Sequence, residues 1–261
     1  MLPTQRRQAI LADVRQSSAV SAEELARRYS VSLETIRRDL RGLRDQGLLE
    51  RVYGGALSIR STEGTFTTRS VLHSGNKQKI GQLAASLVDP DDTIVIDVGT
   101  TALEVARALP PAFRGRLLTN SVPVAMLLSG VEQAERIDLH LCGGQVRQGD
   151  AACFGSHAET FFADCYADKA FLGSGGVHAD AGLTDFHPHE VSTRRVIIAH
   201  SGVSYVLADS SKLGSIAVHR VCPLDQVDAI LTDPQTSTEQ AEAIERTGCT
   251  VLRAPQPAPD A

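Results

Sequence analysis

Apolar residues in the first sixty positions recur at helical spacing in three successive stretches. Ile10, Leu11 and Val14 share one face of a helix expected from Thr4 to about Gln16. Leu25, Ala26 and Tyr29 share a face of a second that begins at Ser21. Ile36, Leu40 and Leu43, at i, i+4 and i+7, line a third that runs to about Gln46, where Gly47 ends it. Ser21 stands three residues before Glu24, the spacing of a capping box, and Ser32 is the N-cap of the third helix. After Gly47, LLERVYGGALSI reads as two short β runs around Gly54-Gly55, a hairpin. Three helices with a tight turn between the second and third, followed by a hairpin, predict a winged helix-turn-helix over residues 1–60.

The period then changes. Residues 61–76 are polar and Ser/Thr-rich and read as a linker that becomes helical near Asn76. From there helix KQKIGQLAASL precedes strand TIVIDV, TTALEVARAL precedes GRLLTN, and VPVAMLLSG precedes IDLHLCG. Strands DKAFLGS, SYVLAD and DAILTD follow. Helices alternating with nearly continuous apolar strands predict a mainly parallel α/β sheet, covered on both faces, over residues 77–250. Residues 251–261, ending in PQPAPDA, are expected to be a disordered tail.

Charge divides the chain at the same place. The first sixty residues hold eleven basic side chains, all arginine, against seven acidic ones; the rest carries the opposite imbalance, and the whole chain has a net charge of −5. Arginine presents a planar fork that donates paired hydrogen bonds to phosphate or guanine. In a winged helix-turn-helix the third helix enters the major groove, and its N-terminal half meets bases and backbone. Ser32, Glu34, Thr35, Arg37 and Arg38 occupy that half, while Arg51 and Tyr53 on the hairpin would reach the flanking DNA. The alternative is that Arg37 and Arg38 form a solvated face paired with Glu34 or Asp39; the cap, turn, helix and hairpin in order favour double-stranded DNA as the partner. One small winged helix reads few bases, so a homo-oligomer is expected.

Other classes drop away. The sequence has no run of eighteen apolar residues and no secretory leader pattern, so a membrane is not expected. Five scattered cysteines without a C-x-x-C suit a reducing, cytoplasmic setting rather than a disulfide scaffold or a structural zinc site.

In the larger segment the strands end in small or polar residues, where open α/β sheets bind ligands. Asp97-Val98-Gly99-Thr100-Thr101, Thr119-Asn120-Ser121, Gly143-Gly144, Ser174-Gly175-Gly176 and Asp209-Ser210-Ser211-Lys212 are five such ends. Gly99-Thr100-Thr101 opens a helix whose free N–H groups suit a phosphate. Asp97 and Asp209 offer acceptors for sugar hydroxyls, and Lys212 a cation for phosphate or for one of the aspartates. Glu190 and Arg194 form an i, i+4 pair, a spacing more common in helix decoration than in ligand contact.

These residues also carry a resemblance. SAEELARRYSVSLETIRRDLRGLRDQGLLERVYGGAL resembles the N-terminal domain of the DeoR family of bacterial transcriptional regulators, with the TIRRDL-type recognition helix at Thr35–Leu40 and the R-x-x-GGA wing at Arg51–Ala56. Tyr53 stands where that family usually has His. The D-x-GTT loop, the TN-S turn, the GG after a strand, the Glu190–Arg195 helix and LADSSK-G resemble the family's sugar-phosphate-sensing domain, whose fold is related to ribose-5-phosphate isomerase and CoA transferases. The resemblance implies a repressor of a sugar or polyol operon, released from its operator by a phosphorylated sugar or polyol, with Asp97, Gly99, Thr100, Thr101, Thr119, Asn120, Ser121, Gly143, Glu190, Asp209 and Lys212 as the effector-binding set.

The residues also offer two other chemistries. A sugar-phosphate isomerase needs a carboxylate at the substrate carbon; Asp97, Asp209 and Glu190 are candidates, but the strand end Gly143-Gly144-Gln145 lacks one, and ligand binding accounts for the rest. The H-x-H-E run of His187, His189 and Glu190, with His178, has a spacing that could hold a metal, but Pro188 and polar neighbours fit an exposed loop. The expectation is therefore a binding protein with no cofactor and no metal.

Overall fold

In a computed structural model the chain is described for residues 2–17, 19–45, 48–52, 55–57, 59–60, 63–130 and 136–256. Helices α1 (Pro3–Ser17), α2 (Ala22–Tyr29) and α3 (Leu33–Asp45) pack Ile10, Val14, Leu25, Ile36, Leu40 and Leu43 into one core. Strand β1 (Ala19–Ser21) precedes α2, and β2 (Glu50–Val52) and β3 (Gly55–Leu57) form the hairpin. β1 pairs antiparallel with β3, so the wing is a three-stranded sheet tied back to the helices, a strand the helical periodicity did not signal. Ser21 Oγ accepts from the Glu24 N–H at 3.0 Å and Ser32 Oγ from the Thr35 N–H at 3.2 Å, each satisfying an otherwise open helix donor. The expected stop at Gln46-Gly47 and the wing tip at Tyr53 lie outside the described residues.

The stretch read as linker holds structure. β4 (Ile59–Arg60) is followed by α4 (Phe66–Val71), capped by Thr65, and α5 (Ser74–Ala85) begins just before Asn76. Lys77 explains the break between the two helices: its ammonium donates to the carbonyls of Arg69 and Leu72, closing the C-terminus of α4. The low periodicity of the segment hid a helix of only six residues.

Then follow β5 (Thr93–Ile96), α6 (Thr100–Ala108), β6 (Arg116–Thr119), α7 (Val122–Ser129), β7 (Asp138–Leu141), β8 (Gln145–Arg147), β9 (Ala152–Phe154), α8 (Ser156–Ala163), β10 (Ala167–Leu172), β11 (Gly176–His178) and β12 (Gly182–Asp185). The chain ends with α9 (Pro188–Ala199), β13 (Ser201–Leu207), β14 (Ile216–Ala217), β15 (His219–Cys222), β16 (Ala229–Thr232), α10 (Thr238–Glu245) and β17 (Thr250–Arg253). Among the described residues the main sheet has seven strands in the order β17-β16-β13-β10-β5-β6-β7, every neighbouring pair parallel. Residues alternate between its faces. Ile94, Ile96, Phe171 and Leu207 pack with α5, α6 and α7, whereas Val95, Ala170, Leu172 and Val206 pack toward α8, α9 and α10. β17 corrects the expected tail: Val251–Arg253 add an edge strand to β16 instead of being disordered. Two smaller sheets escaped the sequence reading, the antiparallel β11-β12-β15 and the β8-β9 hairpin. β4 pairs in parallel with β14, which ties the connector to the larger unit.

Candidate functional site

Two surfaces emerge. On α3, Ile36, Leu40 and Leu43 are buried while Glu34, Arg37 and Arg38 are exposed. Asp39, the partner considered for those arginines, is turned inward: it accepts from Arg6 Nε at 2.6 Å and from Arg7 Nε at 2.9 Å, pinning α1 to α3. Among the described residues neither Arg37 nor Arg38 makes an ion pair, so both guanidinium groups are left for another molecule. Ser32 and Thr35 bond each other through their hydroxyls at 2.9 Å. Arg51 lies in β2 opposite Ala56.

The second surface is a cavity over the carboxyl ends of β5, β10 and β13. Its inner part, about 20 Å³, is lined by Gly99, Thr100, Thr101, Ser174, Asp185, Glu190, Arg194 and Lys212. An outer part of about 150 Å³ adds Lys77, Asp209, Ser211 and residues of α4. Gly99 has a φ of 127°, a conformation open to glycine, and starts α6 without a side-chain cap, so the first N–H groups of that helix face the cavity. Lys212 donates to the Ser174 carbonyl. Burial lowers the pKa of Lys212, opposed by the charge of Asp209. Burial likewise lowers Lys77 to about 8, against the pull of Asp209. Asp209 itself accepts from the N–H and hydroxyl of Ser211, which shapes the turn that carries Lys212.

Beneath the cavity lies a buried ion cluster. Arg194, only 2% exposed, donates Nε to Asp97 Oδ2 at 2.6 Å, Nη1 to Asp185, and Nη2 to Glu190 Oε2 at 2.9 Å. Arg147 bridges Glu190 and Asp150 from above. The Glu190–Arg194 pair is therefore the floor of the cavity and not helix decoration. Gly173 permits the cluster: a Cβ there would fall 2.6 Å from the Val98 carbonyl oxygen and 2.9 Å from Arg194 Nη2. Burial drives Glu190 up to about 8. Burial also opposes ionisation of Asp185, but Arg194 and the His187 N–H outweigh it and hold that carboxyl below its ordinary value.

The structure divides the expected effector set. Gly99, Thr100, Thr101, Glu190, Asp209 and Lys212 line the cavity. Asp97 does not, because its Oδ2 is held by Arg194 and the Gly173 N–H. Thr119 donates to the Ile96 carbonyl at 2.6 Å and Ser121 caps α7, so both hydroxyls serve the backbone. Asn120 is buried behind them, and Gly143 is an exposed residue leading to β8. Asp97 Oδ1 and Asn120 Oδ1 are buried without a hydrogen-bond partner among the described residues. The cavity also contains Glu63, Arg69, Lys77, Asp150 and Asp185, which sequence reasoning missed. The histidines diverge: His178 accepts from the Asp180 N–H, His189 packs on Phe154 with ring centres 4.8 Å apart, and His187 lies 3.5 Å from Glu63. Among the described residues no three metal-ligating side chains form a group that could hold an ion.

An arginine-bearing helix on a winged helix-turn-helix, joined to a parallel sheet with a polar cavity at its strand ends, defines a ligand-responsive DNA-binding regulator. The model of the DeoR-like helix-turn-helix domain matches residues 6–62, and that of the DeoR C-terminal sensor domain matches residues 72–234. The chain belongs to the DeoR family of transcriptional regulators. It is similar to the glycerol-3-phosphate regulon repressor of Escherichia coli (strain K12), 36% identical over 89% of this chain and 92% of that one. It is also similar to the HTH-type transcriptional regulator GlpR of Haloferax volcanii, 32% identical over 97% and 98%. Among solved structures, the probable sor operon regulator from Shigella flexneri superimposes with a TM-score of 0.44 at 13% identity, over 66% of this chain and 90% of that one.

Proposed function

We propose that this chain is a repressor that binds operator DNA through α3 and the wing and is released by a phosphorylated sugar or polyol. The observation that carries the effector assignment is the uncapped start of α6 facing Lys212 and Lys77 across one cavity. Helix N–H groups, the positive end of the helix dipole and two ammonium groups together suit a phosphate dianion. The opposite wall carries the Asp185 carboxylate, which suits hydroxyl donors. Asp97 Oδ1 and Asn120 Oδ1 are acceptors in reserve should the cavity widen around a ligand. Two of the three carboxylates considered for isomerisation, Asp97 and Glu190, are engaged by arginines, which favours binding over turnover.

Release follows when the effector prefers the arrangement that does not bind DNA, since equal affinity for both shifts nothing. A coupling of about 1–3 kcal/mol, or 5–150-fold, is typical. Calorimetry on the full chain with phosphorylated sugars and their unphosphorylated parents tests the site. The parent sugars should bind far more weakly, and equal affinity for both would refute the assignment.

A further inference from the structure

The segment between the two units enters the cavity. Glu63, three residues after β4, lines its inner and outer parts together with Thr100, Arg69 and Lys212. Its Oε1 lies 2.9 Å from Arg69 Nη1 and its Oε2 3.5 Å from His187 Nε2. A half-buried carboxylate thus stands among cations at the mouth of a site whose inner space, about 20 Å³, holds roughly one water. Arg69 is placed to hold an anion there: its Nε is fixed by the Gly64 carbonyl at 2.9 Å, and its second carboxylate neighbour, Asp150, is distant at 3.8 Å.

We propose that the Glu63 carboxylate holds the place of the effector's phosphate in the free protein, and that a phosphate monoester binds by taking Arg69 from it and displacing Glu63. Arg69 then becomes a phosphate ligand beside Lys212. This rests on the reading of the cavity as an anion site. The consequence for DNA binding is local. Glu63 stands three residues after β4, which pairs with β14 only a few residues beyond Lys212. Expelling the carboxylate pulls on the strand pair that ties the connector to the larger unit.

The two partners of the Glu63–Arg69 ion pair should therefore respond in opposite senses, which a merely structural pair would not. The full chain is titrated with inorganic phosphate by calorimetry at ionic strength matched with chloride. Glu63→Gln, which removes the competing charge at constant shape, should tighten phosphate binding about tenfold, and Arg69→Met should weaken it about tenfold, the scale of one charge-assisted hydrogen bond. Thermal unfolding without phosphate reports whether each variant is folded. In the wild type, phosphate should also speed tryptic cleavage after Arg60 in β4. Substitutions that both weaken binding, or that both leave it unchanged while the wild type binds phosphate, overturn this proposal alone, as does cleavage that phosphate leaves unchanged. No phosphate binding to the wild type or to Glu63→Gln overturns the anion site, and this proposal with it.

Discussion

Arg194 and Asp97 are 97 residues apart in the chain and 2.6 Å apart in space, Nε to Oδ2, with both side chains buried. Three carboxylates surround one guanidinium at the base of the cavity. That arrangement makes Asp97 a positioning residue: it orients Arg194 and, through the Gly173 N–H, the end of β10.

Replacing Arg194 leaves Asp97 and Asp185 buried without their cation and Glu190 with Arg147 alone. Arg194→Met should destabilise the larger unit by about 3–5 kcal/mol, the range for breaking a buried pair from one side. Arg194→Lys should recover only part of this, since one ammonium cannot reproduce the fork that meets three acceptors. Urea unfolding followed by circular dichroism measures both, and a Lys variant as stable as the wild type would argue against the fork.

Lys77 gives the site a pH dependence. Burial holds its pKa near 8 against an ordinary 10.5, so the free protein loses this charge as the pH rises through about 8. A bound phosphate favours the charged form, so binding should take up a proton, and affinity should fall above pH 8. Without ligand the sign reverses. The unfolded chain holds more protons between about 8 and 10.5, so the contribution of Lys77 to stability should rise with pH across that window. Calorimetry in buffers of different ionisation enthalpy reads the uptake, and Lys77→Met should abolish the difference.

Neighbouring residues of α3 should separate binding from stability. Arg38→Ala removes an exposed guanidinium and should cost about 1–3 kcal/mol of specific operator affinity per subunit while leaving the melting curve in place. Asp39→Ala strands the buried Arg6, frees the partly exposed Arg7, and should lower the stability of the winged helix-turn-helix. Gel shifts at fixed salt paired with thermal unfolding distinguish them.

Operator binding should need two copies of the chain. The first sixty residues spend their apolar side chains on their own core, so the association is assigned to the larger unit. The expected operator has repeated or palindromic half-sites about 10 base pairs apart or a multiple of that. A fragment of residues 1–60 should bind much more weakly than the full chain in the same gel-shift titration, and equal affinity would count against this arrangement.

Local patterns in the sequence determine a good deal of this protein. The three helical faces around Ile10, Leu25 and Ile36, the caps at Ser21 and Ser32, the hairpin and the parallel sheet all follow from spacing and burial within a few residues. So does the opening of α6 at Gly99-Thr100-Thr101, because a glycine and two hydroxyls at a strand end mark a helix start wherever they fall. Tertiary structure alone decides the rest. Glu63, Arg69 and Asp150 lie in polar stretches with no period to read, Lys77 opens a helix whose period marks only its apolar face, and only the tertiary fold carries the four to the same cavity as Lys212. Asp97 looked free to meet a ligand because its partner, Arg194, is remote in sequence, and Arg194 looked like surface decoration because an i, i+4 spacing is silent about burial. A charge takes its role from what surrounds it in space, and spacing along the chain records only neighbours on the same element.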